Sequence, residues 1–437
     1  MYPGPISSLL RSTLTMVLAG GQGERLYPLT RDRAKPAVPF GGIYRIIDFT
    51  LSNCVNSNIR RIYVLTQYKS DSLNKHLRLG WQLFHEELGE FICSIPPQFR
   101  NSGYWYKGTA DALYQNIYTL QQERPQRVLI LAGDHIYKMD YSEMLSFHEE
   151  RGADLTVAAV EVDLEKAQSL GVMAVDETHR VVHFVEKPES PPPLPDNPNR
   201  ALASMGIYVF DTDTLVRAVT EDAKRDTAHD FGKDIIPRLI HTQNVFAYNF
   251  RDENKKETKY WRDVGTIDSY WEANMDLVDV SPLFNLYDES WPLRTYQEQC
   301  PPVKTVFAQE YEGRIGLALD SLIASGCIIS GGRVQRSVLS PKVRVNSYAQ
   351  VYESILMEGV QVGRYARIRR AIIDKDVIIP DGYEIGHDLD EDRRKFTVTP
   401  QRIVVIPKGM VLDSMGSAAL APAAMGGVEY ENDLDRG

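Results

Sequence analysis

No stretch of this sequence is apolar for long enough to cross a bilayer, so no membrane-spanning segment is expected. The residues ahead of the first strand-like run hold only Arg11 and short apolar pieces, which is not a signal-peptide pattern. Cysteine is scarce. Cys54, Cys93, Cys300 and Cys327 lie far apart in 437 residues, which excludes a disulfide scaffold and suits reduced, mostly buried thiols in a cytoplasmic protein. None of the nine histidines has metal-ligand spacing with another histidine or with a cysteine. No basic run occurs and the net charge is −10, so neither nucleic acid nor a membrane surface is expected as a partner. An acidic chain that handles phosphate must gather its cations locally, and clustered arginine and lysine therefore carry the information.

What is present describes a folded protein of more than one core. A hydrophobic share of 43% beside 25% charged residues is that of a soluble globular chain, and 437 residues exceed one ordinary core. Over residues 14–280, apolar runs such as Ile62 to Thr66 and Val128 to Ala132 alternate with helical patterns at Ser70 to Trp81, Ala110 to Gln121 and Tyr141 to Glu150. That alternation predicts an α/β layer whose ligands lie at the carboxyl ends of the strands, where Asp134 falls. Prolines at 188, 191, 192, 193, 195 and 198 predict an extended surface loop. The expected units are a sheet domain over 1–280, a linker over 281–310, a second domain over 311–412 and a disordered tail over 413–437.

The second domain announces itself by a repeat. Ile328, Val345, Val362 and Ile379 are 17 residues apart, as are Leu317, Val334, Val351, Ile368 and Ile385, and also Leu322, Leu339, Leu356 and Ile373. Within one repeat the steps are six, five and six, a period no helix has. Three short strands per coil of a triangular parallel β-helix account for it, whereas hairpins would alternate with period two.

The richest motif is Leu18-Ala19-Gly20-Gly21-Gln22-Gly23-Glu24-Arg25, followed by Lys35-Pro36. It contains neither the third glycine of a dinucleotide fingerprint nor a P-loop Gly-Lys-Ser/Thr. Glycines after a buried strand let backbone N–H groups converge on phosphate, and Arg25 and Lys35 add cations long enough to reach a triphosphate. This string resembles the signature of the sugar-phosphate nucleotidyltransferases. Four further passages narrow the likeness: Arg33 to Phe49, Gly108-Thr109-Ala110-Asp111-Ala112, Ala132-Gly133-Asp134-His135-Ile136-Tyr137, and Tyr260 to Thr266. Together they are similar to the bacterial ADP-glucose pyrophosphorylases, from about Leu14 to about Pro407.

The resemblance implies a Rossmann-like nucleotidyltransferase sheet domain followed by a left-handed parallel β-helix, acting on ATP and glucose 1-phosphate with Mg2+. It implies Asp134 and Asp263 as the metal ligands, with Arg25 and Lys35 at the reacting phosphates. Leu18, Ala19, Gly20, Gly21, Gly23, Thr109 and Asp111 would flank the nucleotide, and Tyr106, Gly171, Glu186, Lys187 and Ser204 the sugar phosphate. His135 is expected to act from behind the ligands. A homotetramer is implied, controlled by a phosphorylated sugar activator and inhibited by AMP or phosphate. Arg33 and Arg45, with Arg364 and Arg369 from the β-helix, are the expected effector residues. Relatives activated by fructose 1,6-bisphosphate typically carry a lysine and a histidine where this chain has Asp32 and Pro39, so fructose 6-phosphate is expected to activate better.

Three other readings remain at this point. A pyrophosphorylase for another base or sugar shares most of these motifs. An acyltransferase on the β-helix would want a catalytic histidine, and His387 alone lies beyond residue 310. A non-catalytic regulatory subunit would have lost active-site residues, whereas Arg25, Asp134, Lys187 and Asp263 are all present.

Overall fold

The computed structural model describes residues 5–97, 105–252, 257–309, 311 and 313–412. The tail expected to be disordered lies outside them. Besides two small hairpins, the first domain contains eleven strands among the described residues: β1 (Thr13–Ala19), β2 (Arg61–Thr66), β3 (Phe91–Ile95), β4 (Arg127–Ala132), β5 (His135–Tyr137), β6 (Leu155–Asp163), β7 (Gly171–Val175), β8 (Val181–Glu186), β9 (Arg200–Asp211), β10 (Val245–Asn249) and β11 (Trp261–Asp263). Nine of them form one sheet in the order β8-β7-β9-β4-β1-β2-β3, with β6 on β9 and β10 on β6. The β4-β1-β2-β3 half is parallel, and β9 runs antiparallel to its neighbours.

The central strand β1 is apolar at nearly every position because both its faces are covered. Leu14 and Met16 enter one core and Val17 and Ala19 the other. Leu14, Met16 and Val17, all fully buried, contribute about 1.5–3 kcal/mol each, so the strand has one stable register. The helix expected over Ala110 to Gln121 is two, Thr109–Gln115 and Ile117–Glu123. Asn116 divides them. Its amide nitrogen donates to the Ala112 carbonyl and to the Tyr106 hydroxyl, diverting a backbone acceptor from the helix ladder.

The repeat forms a three-faced parallel β-helix. One face stacks 304–306, 328–330, 344–345, 361–362 and 378–379; the second stacks 317–319, 333–335, 350–352, 367–369 and 384–385; the third stacks 322–323, 338–339, 355–356, 371–373 and 404–406. Val334, Val351, Ile368 and Ile385 stack as the spacing predicts. The first coil does not. Ala318, not Leu317, faces Val334; Ile323, not Leu322, faces Leu339; Ile329, not Ile328, faces Val345. That coil is one residue short because Gly331 and Gly332 turn its corner. Gly331 has φ 76°, and a Cβ on Gly332 would stand 2.7 Å from the Asn346 carbonyl. Lys304–Val306, inside the stretch read as linker, is already the first β-helix strand. Upstream of it the linker straps the helix Ile46–Asn56, with Trp291 Nε1 donating to Asn53 and the Arg294 amide to Ser52.

The two domains share a core. Met357, Ile372 and Val405 of the β-helix pack with Phe40, Phe49 and Tyr270 of the sheet domain. Trp271 Nε1 donates to the Glu353 carbonyl, and the Arg370 guanidinium lies 4.4 Å over the Trp271 ring.

Candidate active site

The glycine loop leaves β1 at the edge of a cleft. Gly20 passes so close to Gln67 that a Cβ would approach its Cβ to 2.9 Å, and Gly23 takes φ 66° against Lys35 and Thr30. Thr30 Oγ1 clamps the turn by donating to the Gly23 carbonyl. Nothing lies within 4 Å of the Cβ position of Gly21, so the centre of the loop faces open space. Leu18 accepts the Gly133 amide at 3.1 Å, and Ala19 is buried; together they fix the loop beside the residue that precedes Asp134.

Pairing of β5 with β11 brings the two aspartates together. His135 lies opposite Asp263 in that ribbon, and Asp134 immediately precedes it. Asp134, His135 and Asp263 offer ligand atoms within 4.8 Å of one another. Lys35 Nζ stands between the carboxylates, 2.8 Å from Asp134 Oδ2 and 3.1 Å from Asp263 Oδ1. Burial opposes charge on both partners, yet attraction wins. The Asp134 carboxyl is held below the usual range by Lys35, His135 and Arg25, and the Lys35 amine is raised by the two aspartates. Arg25 is exposed, and its Nη2 lies 3.0 Å from where a Cβ on Gly265 would stand. The two expected metal ligands and the two cations expected at the reacting phosphates therefore meet. The donor set fits Mg2+, which takes one or two carboxylates and fills its remaining positions with water and phosphate.

A second cluster surrounds Glu186 at the end of β8. Cβ atoms on Gly171 and Gly232 would stand 2.7 and 2.5 Å from Glu186 Oε2, so glycine at both positions gives the carboxylate its place. Burial, and then Asp230, push the Glu186 carboxyl up, with Lys187 opposing. Ser204 is buried and its Oγ accepts the Gly206 amide. Lys187 is held at φ 52° and its side chain is 55% exposed, free to swing toward a ligand. Tyr106 is tied through its backbone to Gln67, on the glycine-loop side, and its hydroxyl accepts from Asn116. Thr109 and Asp111 spend their side chains internally: Thr109 Oγ1 donates to Asp230, and Asp111 accepts from Lys107 N and Gln115. Asp230 was not legible from sequence, where an aspartate before Phe231-Gly232 reads as a helix cap, which it also is.

The expected effector residues divide. Arg33 is buried and ion-paired to Asp374 at 2.9 Å. Arg45 donates to the carbonyl and hydroxyl of Ser72. Lys375, which sequence reasoning missed because it resembles any lysine in a turn, is lowered in pKa by burial and by Arg45 and Arg33, against the opposing pull of Glu358, its ion-pair partner at 2.7 Å. Arg369 belongs to the second β-helix face and Arg364 to the turn before it, where its amide donates to Asp381; Asp374 and Lys375 follow the third face. Of the arginine cluster, Arg370 lies at the domain boundary, over the Trp271 ring.

Comparison with known proteins agrees with this architecture. The family described as Nucleotidyl transferase matches residues 14–280, and that described as GlmU-like, C-terminal hexapeptide matches residues 301–406. A glucose-1-phosphate adenylyltransferase of Rhodopirellula baltica is 57% identical over 93% of this chain and 92% of its own length. That of Koribacter versatilis is 56% identical over 91% of this chain and 95% of its own. A third, from Vibrio parahaemolyticus and named glucose-1-phosphate adenylyltransferase 2, is 55% identical over 91% and 99%. The chain belongs to the glucose-1-phosphate adenylyltransferases, within the nucleotidyl transferase family.

Proposed function

We infer that this enzyme transfers the adenylyl group of ATP to glucose 1-phosphate, releasing diphosphate and giving the ADP-glucose that commits glucose to α-glucan synthesis. The observation that carries the reading is the convergence of Asp134, Asp263, Lys35 and Arg25 beside an open glycine loop. A phosphate dianion is already a nucleophile at neutral pH, so the chemistry asks for no general base. It asks for in-line positioning of the sugar phosphate on the α-phosphorus and for neutralised charge on the departing diphosphate. The Glu186 cluster positions the sugar, Lys187 takes its phosphate, and Arg25 and Lys35 face the triphosphate. Mg2+ bound by Asp134 and Asp263 would add charge neutralisation at the same oxygens.

Diphosphate release by the purified protein, compared across ATP, UTP and dTTP, tests the base and the reaction together. Asp134→Asn is expected to lose at least the 10²–10³-fold typical of one charge-stabilising group; a variant keeping more than a tenth of wild-type kcat removes Asp134 from the assignment.

The reading extends to control. Arg45 and Lys375 are both lowered in pKa, first by burial; Asp48 opposes at Arg45 and Glu358, 2.7 Å from Lys375 Nζ, opposes at Lys375, with Arg33 a like-charged neighbour of each, so an anion entering there would meet three cations and two carboxylates. We place a phosphorylated sugar activator there, with AMP or phosphate as inhibitor. Asp32 is ion-paired to Arg31, which blunts the repulsion expected of it and leaves a weaker preference for fructose 6-phosphate over the bisphosphate. Arg45→Ala and Lys375→Ala should lose the response to glycolytic intermediates, and an unchanged response would move the site elsewhere. A cytoplasmic homotetramer completes the proposal, supported by four unpaired cysteines and by Tyr365, Ile378 and Val411 exposed on the β-helix. Sedimentation of active enzyme as a monomer would overturn the assembly.

A further inference from the structure

A buried histidine–aspartate pair lies outside the groups assigned above. Asp222, the last residue of the helix Thr212–Asp222, is 2% exposed at its side chain and accepts His229 Nδ1 at 2.8 Å, Thr227 Oγ1 at 3.1 Å and Arg238 Nη2 at 3.3 Å. His229 is itself buried and sits at φ 52°, a left-handed conformation that costs a side-chain-bearing residue free energy and persists only when its surroundings hold it. The side chain is anchored and the backbone is put to use. The His229 carbonyl accepts the Ala110 amide at 2.8 Å and the Asp111 amide at 3.4 Å, and so caps the helix that starts at Thr109. Gly108 passes beneath the same turn so closely that a Cβ would stand 2.3 Å from the carbonyls of Ala228 and His229.

One residue later the chain supplies Asp230, whose Oδ2 accepts Thr109 Oγ1, and then Phe231, whose amide donates to that same Oγ1. Gly232 follows, with its Cβ position 2.5 Å from Glu186 Oε2. His229 is therefore the joint between the strand of chain carrying Tyr106 and Thr109 and the wall that confines Glu186. We propose that Asp222 and His229 are positioning residues that set the distance between the sugar-holding Glu186 cluster and the segment flanking the nucleotide. A tautomer with the proton on Nδ1 is the one Asp222 selects, and loss of that bond frees the turn to leave its left-handed conformation. The proposal rests on the sugar site assigned above.

Asparagine keeps a donor at the Nδ1 position and tolerates positive φ, whereas glutamine carries its donor one bond too far. His229→Asn should hold KM for glucose 1-phosphate within about twofold of wild type, and His229→Gln should raise it about tenfold, with a smaller effect on kcat. Asp222→Asn, which keeps size and loses charge, should shift KM in the same direction as His229→Gln. If all three variants keep both KM values within about twofold, the pair has no positioning role. A common fall in melting temperature with KM unchanged in the folded fraction, or equal KM increases in the Asn and Gln variants, would also overturn the proposal. A wild-type enzyme without turnover on glucose 1-phosphate would instead overturn the functional reading, so the two failures are distinguishable.

Discussion

Arg33 and Asp374 meet across the domain boundary, Nη2 to Oδ1 at 2.9 Å, although 341 positions separate them in the chain. Both side chains are almost fully buried, at 6% and 2% exposure. The segment that carries Arg33 sends alternate side chains to different destinations. Arg31 donates to the Lys408 carbonyl, Arg33 to Asp374, and Lys35 to Asp134 and Asp263. Two residues of backbone thus separate a β-helix contact from the Asp134 and Asp263 carboxylates, which is a short enough path for a shift of one domain to be felt by the other.

A buried ion pair broken on one side costs about 3–5 kcal/mol, because the remaining charge is left without water or partner. Arg33→Ala should therefore lower the thermal midpoint markedly. The double variant Arg33→Met, Asp374→Leu should recover most of the loss, since apolar replacement of both partners is often neutral. Calorimetry of the three proteins checks this. A single variant as stable as wild type would mean that the pair is solvated in solution. If the loss is found, Arg33→Ala is also a poor probe of effector binding, and Arg45 and Lys375 are the better ones.

Lys35 makes a prediction with a sign in pH. The Asp134 carboxyl is depressed below its ordinary value of 3.8, so its contribution to stability is present above that value and is lost as pH falls through the lower, folded one. The Lys35 amine is raised above 10.5, so its contribution is complete below that value and is lost as pH rises through the higher, folded one. The stability difference between wild type and Lys35→Met should be flat from about pH 5 to 9 and shrink at both extremes. The variant leaves two neighbouring carboxylates without their cation, so added Mn2+ should raise its melting temperature more than that of wild type. A difference that varies steeply near pH 7, or equal shifts with Mn2+, would break the assignment of Lys35 as the bridge.

Much of this site was legible before the structure because its residues sit in contiguous motifs. The glycine string, Gly133-Asp134-His135 and Trp261-Arg262-Asp263 each mark a strand end. What sequence could not supply was which motifs touch: the facing of His135 and Asp263 depends on the register of a two-stranded ribbon. The sequence pattern points Lys35 toward phosphate, whereas the folded chain bonds it to the two carboxylates, a contact invisible in any one-dimensional pattern. The β-helix period failed only where Gly331 and Gly332 shorten a corner, since spacing reports the average coil and not a local deletion. Arg364 and Arg369 are joined to Arg45 only through the resemblance, because more than 300 positions separate them in sequence and nothing in the local pattern says which arginine of a coil faces the sheet domain.

The two glycines beside Glu186 separate packing from chemistry when compared with Gly21. Gly232→Ala puts a Cβ 2.5 Å from Glu186 Oε2 and Gly171→Ala one at 2.7 Å, so either should displace the carboxylate and raise KM for glucose 1-phosphate. Gly21→Ala meets no protein atom within 4 Å and should leave the melting temperature unchanged. If its loop cradles the triphosphate, KM for ATP should nonetheless rise, because the new methyl group occupies ligand space. An unaltered KM for ATP in a normally folded Gly21→Ala enzyme would take the phosphates off this loop.

Lys187 offers the sharpest separation of the two substrates. Its side chain is 55% exposed, and its nearest ion-pair atom, Glu186 Oε1, is 3.7 Å away, so little folding energy depends on it. Its backbone is fixed at φ 52° by its own amide, which donates to the Leu170 carbonyl at 2.9 Å, and alanine adopts that conformation no better and no worse than lysine. Lys187→Ala should thus keep stability within about 0.5 kcal/mol of wild type. If its point charge meets only the sugar phosphate, the variant should raise KM for glucose 1-phosphate by about tenfold or more and leave KM for ATP near its original value. Steady-state kinetics with each substrate varied in turn decides the matter. Equal increases for both would place the lysine on the triphosphate side of the cleft, and no increase for either would return it to the solvated surface.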